Sequence, residues 1–243
     1  MSTSPFARLL KTLEARDHIS PLEAARVEAL PFRLKSYKRN EEIIAEGSRP
    51  TESCLLVEGI VGRMNYLQDG SRQVSAVHIP GDFVDLHGFL LKLMDHGINA
   101  LTPCRVAYVA HPHLRDLVDA EPHLGRMLWL LTAIDAAVGR AWIACMGRRS
   151  AARHLAHLLC ELYLRMEVVG LAKDGIFEFP VSQVDISDML GLSPVHTNRV
   201  LQEMRQQGLV AWKGRKVEIK DFDALAEFGE FNPLCLNLVQ EPR

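Results

Sequence analysis

The chain has 243 residues, of which 48% are hydrophobic and 24% charged, and a formal net charge of −2. That balance suits a globular protein of one large or two ordinary domains, and it excludes collagen-like, low-complexity and broadly polybasic chains. The five cysteines, Cys54, Cys104, Cys145, Cys160 and Cys235, are scattered without any C-x-x-C pair. This argues against a disulfide framework, a zinc site or an iron–sulfur cluster, and for reduced, buried thiols.

The first residues, MSTSPFARLLKTLEARD, carry acids and lack a long apolar core, so no secretory signal is expected. No run is expected to reach the length of a membrane span, which makes the cytoplasm the expected location and excludes a membrane partner. Residues 4–30 read as two helical segments. The second begins with Ser20 as cap, Pro21 in the first position and Glu23 in the first turn.

From residue 31 to 109 the texture changes to short runs rich in β-branched and aromatic residues: FRLKSYK, EEIIAEG, SCLLVEGIVGRMNYL, RQVSAVHI and CRVAYV. Gly47, Gly59, the Asp69 and Gly70 pair, and Pro80 with Gly81 punctuate them. Asp-Gly between two such runs is a strong hairpin signal, and the regular spacing predicts an antiparallel roll or barrel. GDFVDLHGFLLKLMDHGIN interrupts the strands with a predicted short helix and loop.

Residues 121–147 read as one long helix. Met127, Leu131, Ile134, Val138, Ala141 and Cys145 follow a four-three alternation, which predicts a dimer seam. Gly147, Arg148, Arg149 and Ser150 read as a hinge, and a helix over 151–168 follows with a stripe of Leu155, Leu158, Leu159, Leu162 and Met166.

Residues 184–209 read as two short helices around a tight turn. Gly191 ends the first, where positive φ is wanted, Ser193 caps the second and Pro194 takes its first position. Val200, Leu201 and Met204 face inward, and Val195, His196, Asn198, Arg199 and Gln202 lie on other faces. This is the pattern of a helix-turn-helix whose second helix enters the major groove of DNA. LVAWKGRKVEIKDF then reads as two strands around a Lys213 and Gly214 turn, which makes the unit winged. Residues 222–228 form a last predicted helix, and 229–243 read as a loose tail.

The expected fold class is α+β: an antiparallel β-roll, a long dimerisation helix and a C-terminal winged helix-turn-helix. The expected boundaries are 1–120 for lead-in helices and roll, 121–147 for the long helix, 148–228 for the DNA-binding part and 229–243 for the tail. Charge follows this division. Residues 189–220 hold six basic residues against two acidic, leaving 22 basic against 28 acidic elsewhere. A DNA-reading surface on a mildly acidic body has this asymmetry.

The order of parts resembles the Crp/Fnr family of bacterial transcription regulators, over about residues 25–228. The residues that carry the resemblance are the roll glycines ending in PGDF (80–83), the strand ALTPCRVAYV (100–109) and LSPVHTNRVLQEMRQQGL (192–209). The resemblance implies a homodimer that binds an inverted-repeat operator in double-stranded DNA and recruits or blocks RNA polymerase.

The pocket that the resemblance implies is built from residues including Gly81, Phe83, Leu86, His87, Gly88, Met94, Asp95 and Trp129. Where cyclic-AMP-binding members place a ribose-binding glutamate, this chain has Leu86. Where they place an Arg-Ser or Arg-Thr pair for the phosphate, it has Met94 and Asp95. A phosphate buried in a roll needs a cation and donors. Neither cyclic AMP nor cyclic GMP is therefore expected as effector. His78, His87 and His96 raise the question of haem or a metal, but their spacing matches no ligand motif, so no metal ligands are expected. The first cysteine is Cys54, which removes the N-terminal cysteine cluster that an Fnr-type iron–sulfur sensor needs.

On the reading helix, Arg199 matches the family's guanine-contacting arginine. His196 and Asn198 are the next base readers. Val195 stands where many members have a glutamate that reads a C·G pair, and it predicts a shift toward A·T at that pair. Ser193 matches a phosphate contact, and Thr197, Gln202, Lys213, Arg215 and Lys216 are further phosphate candidates. Alternatives are a haem-, metal- or redox-responsive regulator of the same fold, or a nucleotide-binding module that gates a partner protein. No catalytic nucleophile–base set is visible, so an enzyme is not expected.

Overall fold

A computed structural model of the chain describes residues 4–243. It divides into two compact units. The first holds the chain through Arg63, then Val77–Ala136 and Asn237–Arg243, and the second holds Met64–Ala76 and Ala137–Leu236.

The first unit begins with α1 (Ala7–Glu14) and α2 (Pro21–Glu28). Ser20 and Glu23 close a reciprocal capping box on α2, as the sequence predicts. The strands are β1 (Arg33–Tyr37), β2 (Glu42–Ile44), β3 (Glu52–Glu58), β4 (Val61–Tyr66), β5 (Arg72–His78), β6 (Gly97–Ala100) and β7 (Cys104–Ala110), with α3 (Gly88–Leu91) between β5 and β6. They form a three-stranded sheet in the order β1-β7-β3 and a four-stranded sheet in the order β2-β6-β4-β5. β7 pairs antiparallel with both β1 and β3. Three of the four residues of β6, 97–99, lie inside the segment read as helix and loop.

Leu56, Val61, Ile98 and Val106 are buried in the core between the sheets. On the other side of the first sheet, Leu55, Ala107 and Val109 meet Leu9 and Leu13 of α1 and Leu124 and Met127. Gly59, at the β3–β4 turn, has φ +92°, and a Cβ there would stand 2.5 Å from the Pro103 carbonyl oxygen. No residue with a side chain fits this turn without moving the backbone.

α4 (His111–Ala120) leads into α5 (Pro122–Arg148). α5 has 27 residues and, contrary to the sequence expectation, is long and apolar enough to cross a membrane by length and composition. It also carries Arg126, Asp135, Arg140 and Arg148. Its first half belongs to the first unit and its second half to the second.

α5 corrects the predicted seam. Met127, Val138 and Cys145 are buried within their own chain. Leu131 packs against the roll core, and Ile134 and Ala141 are half-buried. The face left open holds Trp129 (74% exposed), Ala133, Ala136, Arg140 and Ile143 (67% exposed). These positions also run four-three-four-three. The helix is apolar on several faces, and packing takes one phase into the core and leaves the other free.

In the second unit α6 (Ala151–Val168) is capped by Ser150, whose hydroxyl accepts from the Arg153 amide. Its predicted stripe is buried, and Glu161 beside it accepts from the Trp142 indole at 2.7 Å and from Arg165 at 2.7 Å. β8 (Ala172–Lys173), β9 (Ile176–Glu178), α7 (Gln183–Leu190), α8 (Pro194–Gln206), β10 (Val210–Lys213), β11 (Lys216–Ile219) and α9 (Phe222–Phe228) follow. The sheet order is β10-β11-β9-β8, all antiparallel. Two further strands, β8 and β9, absent from the predicted elements, turn at Asp174 and Gly175, an Asp-Gly hairpin signal. The tail is anchored rather than loose. Phe231 and Leu236 are buried, and the Glu241 amide donates to the Arg16 carbonyl at 2.9 Å.

Candidate nucleic-acid interface

Three local devices set α7 and α8 at a fixed angle. Ser182 and Asp185 form a capping box at the start of α7. Gly191 ends α7 with φ +66°, a left-handed turn that a side chain would strain. Ser193 caps α8, its Oγ accepting from the His196 amide at 3.3 Å, with Pro194 in the first turn. Ser187 is buried, where its small size keeps space open at the turn, and its carbonyl accepts from the Leu192 amide at 3.0 Å. Val200, Leu201 and Met204 fill the inner face of α8 as predicted, whereas Val184 on α7 is exposed.

The outer face of α8 presents Val195, Asn198, Arg199 and Gln202, all exposed. Val195 is 83% exposed at the second helical position, a place where a valine has nothing of its own chain to cover. His196 is half-buried. Ser193 is exposed, although its hydroxyl is used by the cap. Thr197 does not join this face. It is fully buried and its Oγ1 donates to the Ser193 carbonyl at 3.1 Å, so it braces the turn and is removed from the phosphate candidates. Thr197 stands three residues before Val200 and four before Leu201, on the inward stripe, where spacing could have placed it.

The wing hairpin pairs Lys213 with Lys216, which puts Gly214 and Arg215 at the tip, one residue later than predicted. Lys213, Arg215 and Lys216 are all exposed. Arg215 lies 3.5 Å from Glu178 of β9, a surface pair of little strength. Arg205 donates to the Trp212 carbonyl at 3.1 Å and ties the end of α8 to the wing.

Arg72 is a contributor that the sequence reading missed. Its Nη2 lies 2.7 Å from Asp185 Oδ1 and its Nε 2.6 Å from Asp188 Oδ2. Asp185 is buried, and an unpaired buried carboxylate would be costly, so Arg72 holds α7 in place. Nothing in the linear pattern links residues more than a hundred positions apart.

The predicted pocket residues separate in the first unit. Phe83 and Leu86 belong to the hydrophobic core, and Met94 is buried between the sheets. Gly81 lies against Arg8, and a Cβ on Gly88 would meet the Met94 sulfur at 3.2 Å. Trp129 leaves the pocket altogether, because it stands on the open face of α5. His87 and His96 come together, their ring centroids 4.9 Å apart, with Asp95 Oδ1 2.8 Å from His96 Nδ1. Near them Arg63 pairs with Asp135 at 2.7 Å. Burial, helped by the Arg63 guanidinium, pushes His96 down to about 4 and lowers His87 as well. Cys54, Cys104, Cys145 and Cys160 are buried, Cys235 is partly buried, and all five are free. Burial pushes Cys104 up to about 11 and Cys160 up to about 12, which suppresses thiolate chemistry.

Comparison with known proteins agrees with this arrangement. A cyclic nucleotide-binding domain family matches residues 34–121, and a Crp-like helix-turn-helix domain family matches residues 153–228. The transcriptional activator protein FnrL of Cereibacter sphaeroides is 24% identical over 209 residues, covering 84% of this chain and 83% of that one. The nitrogen fixation regulation protein FixK of Azorhizobium caulinodans is 23% identical over 226 residues, covering 93% and 89%. The structure of FixK2 from Bradyrhizobium japonicum superposes with a TM-score of 0.73 at 27% identity, covering 82% of this chain and 98% of that one. With a roll, a long helix and a winged helix-turn-helix in this order, the chain belongs to the Crp/Fnr family of transcription regulators and is not an enzyme.

Proposed function

We propose that the protein is a homodimeric, sequence-specific regulator that binds an inverted-repeat operator through the helix at 193–207. The observation that carries this reading is the outer face of α8. Val195, Asn198, Arg199 and Gln202 are exposed in one row on a helix braced by Ser193 and Thr197, beside a wing of exposed Lys213, Arg215 and Lys216. Arg199 suits the bidentate contact to guanine O6 and N7, with His196 and Asn198 as further readers. The wing cations and Ser193 suit phosphates.

A two-fold operator requires two reading helices about 34 Å apart, hence a dimer. The open face of α5, with Trp129, Ala133, Ala136, Arg140 and Ile143, is the surface we assign to the second copy. Exposed large apolar side chains in a four-three row are what a coiled-coil partner covers. This replaces the seam through Met127 and Cys145. RNA polymerase is the partner through which such a regulator acts on transcription.

Cyclic AMP and cyclic GMP are not the effectors in this reading. Leu86 and Met94 are packed into cores, and Asp95, which with Met94 stands in the sequence where cyclic-AMP-binding members place their phosphate-binding pair, is an exposed anion that repels one. The test is a footprint on the promoter of its own gene, with a salt titration. A two-fold protected site and a steep loss of affinity with salt are expected, and Lys213→Ala should lower the log–log slope by about 0.9. Absence of any specific site in genomic selections overturns the reading. Micromolar binding of either cyclic nucleotide overturns the statement on effectors.

A further inference from the structure

His87, Asp95 and His96 form a cluster that regulation of DNA binding does not by itself require. One ligand atom from each of the three lies within 4.8 Å of the others. We propose that His87 and His96, with two imidazole nitrogens, and Asp95, with a carboxylate oxygen, bind one divalent first-row transition-metal ion. The site stands independently of the DNA-binding reading. Its regulatory consequence rests on that reading.

Four observations carry it. First, Nε2 of His87 and Nε2 of His96 are both buried and have no hydrogen-bond partner. A buried polar atom left unpaired is costly, and two on neighbouring rings suit a ligand held between them. Second, the rings are tilted by 46° rather than stacked, so their edges can address a common point. Third, Asp95 Oδ1 accepts from His96 Nδ1 at 2.8 Å. That bond keeps the proton on Nδ1 and the lone pair on Nε2 until an ion arrives and Asp95 turns from the ring to coordinate it. The Asp95 side chain is 79% exposed, so it can rotate to draw the set together. Donors around zinc stand about 3.4 Å apart when each is about 2.1 Å from the ion, a modest contraction from the separation observed.

Fourth, the local charge favours a cation. The Arg63 guanidinium opposes one, but its pairing with Asp135 at 2.7 Å offsets part of that charge, and the Asp95 carboxylate stands beside His96. Two imidazoles and a carboxylate with open positions suit zinc, cobalt, nickel or ferrous iron rather than magnesium or calcium. The cluster spans the start of α3 and the start of β6. His87 also feels the charge of Asp135 on α5, so an ion there would link the α3–β6 loop to the helix that we assign to dimerisation.

The experiment uses the full chain without an affinity tag, stripped with a chelator and titrated with cobalt(II), then with zinc. One cobalt per chain with visible ligand-field absorption is expected, displaced stoichiometrically by zinc. His87→Gln and His96→Gln should each weaken binding at least about tenfold, and Asp95→Asn about 10- to 100-fold. Zinc should raise the melting temperature of the wild type and not that of the double histidine variant, which makes the test independent of a small loss of fold in any variant. Binding weaker than about 100 μM, or an unchanged titration in the double histidine variant, overturns the proposal. So does competition by inorganic phosphate for the same residues, which would make the site anionic in specificity. DNA anisotropy on the same samples separates the two readings. Metal binding without operator binding leaves the site and removes the regulator; operator binding without metal binding does the reverse.

Discussion

The most informative substitution is Val195→Glu. Val195 is 83% exposed at the second position of α8, so at most about a sixth of its surface leaves water when the protein folds. Full burial of a valine is worth about 1.5–3 kcal/mol, so its loss costs under about 0.5 kcal/mol. A glutamate in the first turn of a helix recovers about 0.3–1 kcal/mol from the helix dipole. The expected change in stability is therefore within about 0.5 kcal/mol of zero. Recognition changes far more. Valine can pack only on a thymine methyl, whereas a glutamate accepts from cytosine N4, a contact worth about 1–3 kcal/mol. At one base pair of each half-site, preference should swing from A·T to C·G by about 5- to 150-fold. Fluorescence anisotropy against operators varied at that pair reads this directly, with urea unfolding on the same samples. Arg199→Ala serves as comparator and should relax the neighbouring guanine preference instead. An unchanged base preference in Val195→Glu refutes the placement of this residue at the base edges. A large fall in stability refutes the claim that its side chain is free of its own fold.

Two other predictions test the remaining surfaces. Ile143→Glu on the open face of α5 should raise the dimer dissociation constant at least about 30-fold while leaving the monomer folded, because Ile143 is 67% exposed; sedimentation analysis showing an unchanged dimer refutes the assignment. His154 and His157 are buried on α6, and burial, aided by Arg149, holds each at about 4. The unfolded chain takes up these protons first, at about 6.5, so stability is lost as pH falls from 6.5 toward 4 and is intact at neutral pH. At pH 5 each group costs about 2 kcal/mol. In His154→Leu the drop in unfolding free energy between pH 7 and 5 should shrink by about that amount, and an unchanged drop counts against a neutral, buried imidazole.

Much of this molecule is legible residue by residue because it depends on local chemistry. The capping box at Ser20, the left-handed Gly191, the Ser193 cap and the Pro194 start each involve groups within four residues of one another. The β-rich texture of 31–109 and the wing hairpin follow from strand periodicity and turn residues. These local signals were enough to specify the fold class, the order of parts and the helix-turn-helix.

What required the tertiary structure is which of several chemically equivalent choices packing makes. α5 offers two four-three rows, and the sequence has no means of ranking them. Met127 is taken by the core of the lead-in helices and roll, Val138 is buried farther along, and the row with Trp129 and Ile143 is left open. Thr197 and Asn198 are both plausible contacts to DNA until the inner face of α8 claims the threonine. The pairings of Arg63 with Asp135 and of Arg72 with Asp185 join residues far apart in the chain, and charge alone names no partner. His87 and His96 read as two ordinary histidines at a spacing of nine. Only the loop between α3 and β6 turns their rings together and leaves two buried nitrogens without a hydrogen bond. Local sequence determines caps, turns and periodicity because their energetics are satisfied within a few residues. Burial and long-range pairing depend on what the rest of the chain brings alongside, and that is settled only when it packs.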